Sequence, residues 1–283
     1  MKIAVVQMDV SLGQVEGNLQ AMLARLKESR KQGARLTIFP ECALTGYCFP
    51  SIADALPHAQ SIPGPATDRF QTALKELGGT VVFGLIERHD AGIYNAAAIV
   101  TADGVVSSYR KNHLPFLGID QFATYGDRPF QVVEVEGVRL GLSICYDSAF
   151  PESMRTMMLR GADLFVLPTN FPSGAECMTD HVLRTRALEN KVYFAAANRI
   201  GEEMGFRFIG RSQIVDPSGN KIAATETDDD VILYAEIDVE QARNKRVGRS
   251  SIFQALDRVA DRRPELYGAL IEPHSLPRPG REA

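Results

Sequence analysis

Residues 141–152 read Gly141-Leu142-Ser143-Ile144-Cys145-Tyr146-Asp147-Ser148-Ala149-Phe150-Pro151-Glu152. Apolar residues lead into a single cysteine, the chain breaks at Phe150-Pro151, and Glu152 opens a segment with helical spacing, which predicts strand, sharp turn and helix. Cys145 is therefore expected at the carboxyl end of a strand, where open α/β sheets bind ligands and backbone N–H groups favour a thiolate. Because free cysteine is also among the most buried residue types, this position alone does not establish a nucleophile.

Composition places the chain among globular proteins. It has 283 residues, of which 45% are hydrophobic and 23% charged, enough to bury a substantial core. No Pro/Ser/Gly-rich linker divides it, so we expect a single domain over residues 1–283, of which residues 247–283 form a C-terminal tail. Beyond Arg243 the sequence loses sheet periodicity, and an extended tail is predicted.

Charge and cysteine usage exclude several classes of function. The net charge is −4 without a long basic run, so neither nucleic acid nor a membrane surface is an expected partner. No apolar run approaches the ~20 residues of a membrane-spanning helix. The four cysteines have no C-x-x-C spacing, and the chain begins with strand-like residues instead of a signal peptide, which favours a reducing, cytoplasmic location. Without H-E-x-x-H or another paired-ligand spacing, no metal and no cofactor are expected.

Hydrophobic periodicity predicts alternating strands and helices. Strands are expected at 2–7, 36–39, 80–87, 94–101, 105–109, 131–135, 139–143, 164–167, 192–197, 210–215 and 231–237. Helices are expected at 18–31, 66–77, 152–160 and 177–190, and residues 111–129 are predicted to form a loop.

An internal similarity indicates two related halves. Residues 33–40 and 161–168 share the pattern Gly-Ala-x-Leu-x-β-branched-x-Pro, each following a predicted helix and each ending a predicted strand. This predicts a pseudo-symmetric, layered α/β sandwich. Glu41, just after Pro40, would then lie at the carboxyl end of a strand, as Cys145 does.

The chemistry of a cysteine nucleophile sets further requirements. A thiolate that attacks a carbonyl or nitrile carbon needs a base for its proton, a cation or donors for the developing negative charge, and an acid for the leaving nitrogen. Residues of the required types are Glu41 in Phe39-Pro40-Glu41, Lys111 in Tyr109-Arg110-Lys111-Asn112-His113, and Cys145 in Ile144-Cys145-Tyr146-Asp147.

These motifs, in this order, resemble the nitrilase superfamily of carbon–nitrogen hydrolases, amidase-like branch. The similarity continues through Arg186-Ala187-x-Glu189-Asn190, Ala197-Asn198, Gly210-Arg211-Ser212 and Asp216-Pro217-x-Gly219, and covers roughly residues 1 to 240. It implies a four-layer αββα sandwich with two mixed β-sheets between helical layers. It also implies hydrolysis of a small amide through a thioester, with release of ammonia or an amine. In this analogy Cys145 is the nucleophile, Glu41 the general base and acid, and Lys111 the oxyanion stabiliser together with the backbone N–H of Tyr146.

One departure from the superfamily pattern lies in the loop after the lysine. Many members carry a second glutamate there, but this chain has none between Lys111 and Glu134. Asp120 is the carboxylate nearest the expected place, and Asp127 is the alternative. The side chain of aspartate is shorter than that of glutamate, so the backbone at Asp120 would have to approach the lysine more closely.

The substrate is less well defined by the sequence. Cys145-Tyr146-Asp147 resembles the amidase-like branches, which favours an amide over a nitrile, while an N-carbamoyl amino acid stays open. The substrate-binding residues predicted from aromatic and amide side chains near the motifs are Tyr47, Phe116, Tyr146, Asn170 and Phe171. Arg184 and Arg207 are candidates for binding a substrate carboxylate.

Other classes of protein fit less well. A papain-like enzyme would need a histidine well beyond the cysteine, and His181 is too near; His113 is expected to be a structural hydrogen-bonding residue. A binding or scaffold protein that kept the fold is the non-enzymatic alternative, which Glu41, Lys111 and Cys145 together oppose.

The resemblance to the superfamily also implies a homodimer or a higher homo-oligomer, paired through the helix beside the nucleophile and through the C-terminal tail at residues 247–283. Apolar residues in both segments agree with this expectation. The predicted helix 152–160 carries Met154, Met157, Met158 and Leu159, more apolar positions than one core-facing stripe requires. The C-terminal residues 252–256, 266–267 and 270–271 are also apolar. Some of these side chains are expected to face a second subunit across a twofold axis.

Overall fold

The structure is a computed structural model that describes residues 1–90, 92–248 and 255–281. The strands are β1 Lys2–Gln7, β2 Leu36–Ile38, β3 Thr80–His89, β4 Gly92–Thr101, β5 Gly104–Arg110, β6 Val132–Val135, β7 Val138–Leu142, β8 Leu164–Thr169, β9 Tyr193–Asn198, β10 Glu202–Glu203, β11 Phe206–Arg207, β12 Gln213–Val215, β13 Lys221–Ala224, β14 Val231–Glu236, β15 Arg246–Gly248 and β16 Ala255–Asp257. The helices are α1 Val15–Lys31, α2 Ile52–Ala55, α3 Pro65–Leu77, α4 Pro151–Leu159, α5 Leu183–Asn190 and α6 Val239–Arg243.

Two six-stranded mixed sheets form the centre of the fold. The first sheet has the order β14-β1-β2-β3-β4-β5 and the second has the order β13-β12-β9-β8-β7-β6. From β14 in the first sheet and from β6 in the second, successive neighbours pair antiparallel, parallel, parallel, antiparallel and antiparallel. The two halves therefore have the same topology, in agreement with the repeated sequence pattern, whose copies contain β2 and β8.

Side-chain alternation along the strands builds the layers. On β3, Val82 faces the apolar core shared by the two sheets, while Val81 and Phe83 face α1 and α3. Both faces are apolar because both are covered. Phe70 of α3 packs on Phe83 with ring centroids 4.6 Å apart, and burying one phenylalanine contributes about 1.5–3 kcal/mol. Helices α4 and α5 cover the outer face of the second sheet, which completes the predicted αββα sandwich.

Strand directions bring the chemical residues to one edge. Strand β5 runs antiparallel to β4, and β4 antiparallel to β3, so β5 ends at the same edge of the first sheet as β2 and β3. Lys111, directly after β5, and Glu41, shortly after β2, therefore lie at this edge. Cys145 follows β7 of the second sheet, but as the first residue of a 3₁₀ turn, Cys145–Ala149, and not as the last residue of the strand.

Several elements differ from those predicted. Instead of the single helix expected over 177–190, the structure has a π-helical turn, Met178–Val182, followed by α5. The side-chain Nε2 of Gln213 donates to the carbonyl of Thr179 in this turn at 2.7 Å. The strand expected from Gly210 begins at Gln213, because Gly210 and Arg211 have φ of +60° and +58° and cannot continue a strand.

The tail also differs from the prediction of an extended segment. Strands β15 and β16 form a two-stranded ribbon, and 3₁₀ turns follow at Pro264–Leu266 and Gly268–Ile271. Strands β10, β11 and β13 were not predicted; β10 and β11 have only two residues each, too few to show a period. No helix within the described residues is long and apolar enough to cross a membrane.

Candidate active site

Glu41 lies in a tight turn packed against β3. The carbonyl of Pro40 accepts from the N–H of Gly84 at 3.2 Å, and a Cβ at Gly84 would lie 2.4 Å from the nitrogen of Cys42. Only glycine permits this approach. Cys42 itself has φ of +47°, which costs backbone strain. The turn thereby directs the Glu41 carboxylate into the interior, where it is 1% exposed.

Lys111 connects two carboxylates. Its side chain is fully buried, and its Nζ donates to Glu41 Oε1 at 2.7 Å and to Asp120 Oδ2 at 2.5 Å. Its backbone N–H donates to the carbonyl of Asn95 at 2.8 Å, which fixes the end of β5 against β4. An ammonium with two carboxylates at this distance forms a closely coupled charged group.

Asp120, and not Asp127, is the carboxylate beside the lysine. It lies in the 3₁₀ turn Gly118–Gln121, and its Oδ2 also accepts from the hydroxyl of Tyr47 at 2.9 Å. Gly118 has φ of +49°, and a Cβ there would lie 2.2 Å from the Tyr47 ring, so this glycine allows the close approach that the short aspartate needs. Asp127 is half-exposed and pairs with Arg110 at 3.2 Å.

Cys145 occupies a strained turn. Its φ is +44°, unusual for a residue with a side chain. Asp147 caps the turn by accepting from the N–H of Ile144 at 2.9 Å, and Ser148 Oγ donates to the carbonyl of Cys145 at 2.7 Å. Residues held in such strained backbone cluster at active sites.

The electrostatics favour a resting thiol. Burial and the nearby Glu41 raise the pKa of Cys145 to about 12, although Lys111, the Thr169 hydroxyl and the backbone N–H of Asn170 act in the opposite direction. Burial and the carboxylate of Glu41 together outweigh the lysine, which by itself lowers the pKa of the thiol. Burial also raises the pKa of Glu41 against the opposing effect of Lys111, which makes the carboxylate a stronger base.

Lys111 keeps its charge in this environment. Burial by itself lowers the pKa of Lys111, but Asp120 and Glu41 outweigh burial and hold it well above its usual value. A permanently protonated ammonium beside the thiol can stabilise negative charge that develops on a reacting oxygen.

Buried polar atoms that have no hydrogen-bond partner among the described residues include three beside the cysteine. They are Glu41 Oε2 and both Nδ2 and Oδ1 of Asn170, whose backbone N–H interacts with the Cys145 sulfur. Buried polar groups are otherwise almost always hydrogen-bonded, so such a group indicates a place where a polar ligand binds.

The other predicted binding residues lie in different surroundings. Phe116 and Tyr146 are exposed by 50% and 40%, whereas Phe171 is buried in the core between the sheets and donates its N–H to Asn198 Oδ1 at 2.8 Å. Arg184 donates to the carbonyl of Gly219 at 2.8 Å, and Arg207 pairs with Asp228 on the surface.

Sequence reasoning missed Asn95, which touches both carboxylates. Its Nδ2 donates to Glu41 Oε1 at 2.7 Å and to Asp120 Oδ1 at 2.8 Å. The available signal was a lone amide inside the apolar strand Ile93-Tyr94-Asn95-Ala96-Ala97-Ala98-Ile99. A buried polar residue on such a strand requires a partner.

Asp147 links the lysine segment to the cysteine turn. It accepts from the hydroxyl of Tyr109 at 2.8 Å, and from the backbone N–H and Nδ1 of His113 at 3.1 and 2.7 Å. The imidazole stacks on Phe150 with ring centroids 3.9 Å apart. His113 is therefore structural, as expected.

A buried ion pair holds the Tyr47 loop. Glu203 Oε2 accepts from the N–H groups of Tyr47 and Cys48 at 3.0 and 2.8 Å, and Glu203 Oε1 accepts from Arg199 at 2.6 Å. The Arg199 guanidinium lies 4.3 Å from the centre of the Phe208 ring. Neither charge was singled out in the sequence, because both lie outside the motifs.

The chain is similar to known proteins over most of its length. Residues 2–247 match the carbon-nitrogen hydrolase family. A nitrilase of Pyrococcus abyssi is 38% identical over 272 residues, covering 94% of this chain and 99% of the relative. An N-carbamoylputrescine amidase of Arabidopsis thaliana is 30% identical, covering 91% of each chain, and an omega-amidase of Bos taurus is 30% identical, covering 94% of this chain and 96% of the relative.

Solved structures agree in fold. The amidase from Nesterenkonia sp. superposes with a TM-score of 0.78 at 25% identity, covering 96% of each chain. A mutant of that amidase carries the acetamide moiety of fluoroacetamide on its active-site cysteine and superposes with a TM-score of 0.76, at 25% identity, covering 94% of this chain and 95% of its own. The protein belongs to the carbon-nitrogen hydrolase family, within the nitrilase superfamily. It is a hydrolase of non-peptide carbon–nitrogen bonds.

Proposed function

We propose that the protein hydrolyses a small amide through a thioester on Cys145. The observation that carries the proposal is the divided role of the Glu41 carboxylate, which holds Lys111 through Oε1 while the buried Oε2 has no partner among the described residues. A base that is already oriented and has one free oxygen can accept the thiol proton.

The proposed steps follow from these contacts. Cys145 Sγ attacks the carbonyl carbon while its proton moves to Glu41. The ammonium of Lys111 and the backbone N–H of Tyr146 stabilise the oxyanion. When the C–N bond breaks, Glu41 returns the proton to the leaving nitrogen, and ammonia or an amine departs. Water then attacks the thioester with Glu41 as the base, which releases the acid and the thiol.

Supporting residues complete the proposed site. Asp120 replaces the second glutamate of the superfamily and orients Lys111 together with Glu41. Tyr47 contributes by holding Asp120. The Asn170 side chain, whose Nδ2 and Oδ1 are buried and unpartnered, is placed to bind polar atoms of the substrate. Phe116 and Tyr146, both partly exposed, would line the entrance, with Phe171 behind them.

The substrate class is tested by ammonia release. Purified protein is assayed against ω-amides, aliphatic amides, N-carbamoyl amino acids and nitriles, and we expect an amide to be the best substrate because Tyr146-Asp147 follows the cysteine. Better turnover of a nitrile or an N-carbamoyl compound would select the corresponding alternative. No turnover, together with a Cys145 that iodoacetamide does not label under conditions that label the exposed Cys177, would favour the binding-protein alternative.

We further propose a homodimer through α4 and the C-terminal segment. The three methionines Met154, Met157 and Met158 are buried in the protein's own core, so the helix presents a different residue outward: Leu159 is 46% exposed. A groove of about 760 Å³ lies between α4 and the segment that carries Leu270 and Ile271, which are 62% and 88% exposed. Burial of these side chains by a second copy would remove apolar surface from water.

Light scattering tests the dimer. Leu159→Asp places a charge in the groove and is expected to convert a dimer to monomers at micromolar protein, because a buried unpaired charge is costly. Val106→Asp is the matched control, since Val106 is 44% exposed on the other sheet. A monomeric mass for the unmodified protein, or equal effects of both substitutions, would contradict the proposed interface.

A cytoplasmic location is proposed on the basis of the thiols. Cys42, Cys48, Cys145 and Cys177 are all free, as expected in a reducing compartment. Fractionation of the producing cells checks this, and recovery in an oxidising compartment would contradict it.

A further inference from the structure

Asn95 occupies the centre of the charged group although it carries no charge. It lies near the start of β4, at the edge of the first sheet where β5 ends, and it is completely buried. Its backbone carbonyl accepts from the N–H of Lys111 at 2.8 Å. A single residue therefore contacts the lysine through its backbone and both carboxylates through its side chain.

The orientation of the Asn95 amide follows from hydrogen-bond chemistry. The Nδ2 hydrogens go to Glu41 Oε1 at 2.7 Å and Asp120 Oδ1 at 2.8 Å. Ionised carboxylates only accept hydrogen bonds, so the NH₂ group and not the oxygen must face them. Oδ1 lies 3.6 Å from the Cys42 sulfur, which donates to it. Both amide hydrogens are thus used on carboxylates.

The charges explain why two donors are needed there. Glu41 and Asp120 share the one ammonium of Lys111, so the buried group has an excess of negative charge. Like charges in a buried site drive one carboxyl group to take up a proton unless donors stabilise the ionised form. The N–H groups of Asn95 are fixed dipoles that supply this stabilisation.

We propose that Asn95 is a positioning residue that keeps Glu41 ionised beside Lys111 and Asp120, so that Glu41 is available as the base. The inference rests on the proposed function of Glu41 but concerns a residue that the proposed mechanism does not use. Asn95 contacts no reacting atom in that mechanism; it acts through the carboxylates.

The effect of Asn95 has a defined direction. Burial raises the pKa of Glu41, and the hydrogen bonds from Lys111 and Asn95 both lower it. Removing Asn95 therefore raises the pKa of Glu41 further, so a larger share of the enzyme carries a protonated, inactive Glu41 at a given pH. The titratable and charged groups that face Glu41 and enter this balance are Lys111, Asp120, Cys145, Cys42, Cys48 and Tyr47.

The test uses Asn95→Leu and the near-isosteric Asn95→Asp in the full-length protein. We expect kcat to fall roughly 10- to 100-fold with little change in KM, since a hydrogen bond to a charged group is lost. The acidic limb of the kcat/KM profile should move up by about one pH unit or more. Asn190→Leu is the control, because it removes an equally buried asparagine whose side chain donates to the carbonyl of Arg186. It should leave the pH profile unchanged.

A second measurement does not depend on turnover. In protein labelled with ¹³C at the glutamate carboxyl carbons, the Glu41 resonance is identified by its loss in Glu41→Gln. The pH midpoint at which this resonance shifts, which reports protonation of Glu41, should move to higher pH in Asn95→Asp and Asn95→Leu. If Asn95→Leu does not fold, Asn95→Asp carries the test, because a neutral Asp can donate only one hydrogen bond. A folded variant with an unchanged Glu41 midpoint would overturn the inference, even if no amide were turned over. If the wild-type protein turned over none of the substrates while the Glu41 midpoint still shifted in the Asn95 variants, only the proposed function would be contradicted.

Discussion

Cys145→Ala is expected to lose at least about 10⁴-fold in kcat while the protein stays folded. The substitution removes the sulfur that forms the thioester, and no other described thiol can replace it. Cys42 is completely buried and donates to Asn95, Cys48 is buried in a separate apolar cluster, and Cys177 is exposed. The substitution also removes only a small volume, so the free energy of unfolding should change by no more than about 1–2 kcal/mol.

The matched control for this prediction is Cys177→Ala. It removes an exposed thiol that lies outside the charged group and should retain full activity. Mass spectrometry of the wild-type protein quenched during turnover should show an acyl adduct on Cys145 only. Activity near wild type in Cys145→Ala, or an adduct on another residue, would refute the assignment of the nucleophile.

Lys111→Met is expected to lower kcat by roughly 10²–10³-fold, with a smaller change in KM. Methionine keeps the apolar stem but lacks the ammonium that stabilises the oxyanion and separates Glu41 from Asp120. A variant that changes only KM would show that Lys111 interacts equally with the bound substrate and with the transition state, and so does not accelerate the chemical step.

The same substitution should destabilise the fold, by about 3–5 kcal/mol near neutral pH, because two buried carboxylates lose their cation. The sign of the pH dependence follows from Glu41, whose folded-state pKa is raised by burial and rises further once the opposing effect of Lys111 is removed. Groups with a raised folded-state pKa contribute their full stability below the unfolded pKa and lose it as pH rises. The gap in melting temperature between Lys111→Met and wild type should therefore narrow in acid and widen towards neutral pH.

Asp120→Asn is the companion variant for that experiment. It keeps the shape of the aspartate and removes one of the two negative charges beside Lys111. In the double variant Lys111→Met/Asp120→Asn, the Glu41 carboxylate has no negatively charged Asp120 beside it. Part of the folding stability that Lys111→Met loses should therefore return. A double variant as unstable as the sum of the single variants would show that Asp120 and Lys111 do not act together.

The sequence by itself determined the class of fold and the three reactive residues. Periodicity of apolar residues is local, and it located the central strands β1–β3 and β7–β9 to within about two residues at most ends, since both faces of each strand are buried. The motifs around Glu41, Lys111 and Cys145 are also local, and their order along the chain was enough to recognise the superfamily.

Only the tertiary structure decided how these residues are held and charged. Asn95 and Glu41 are 54 residues apart in the chain, and Lys111 and Glu41 are 70 apart, so their contacts exist only after β4 and β5 have paired at one edge of the sheet. The choice of Asp120 over Asp127 depended on a glycine that lets the loop approach Tyr47. The pKa of Cys145 was decided in the same way, because desolvation depends on everything packed around the sulfur, and no local pattern in the sequence records that environment.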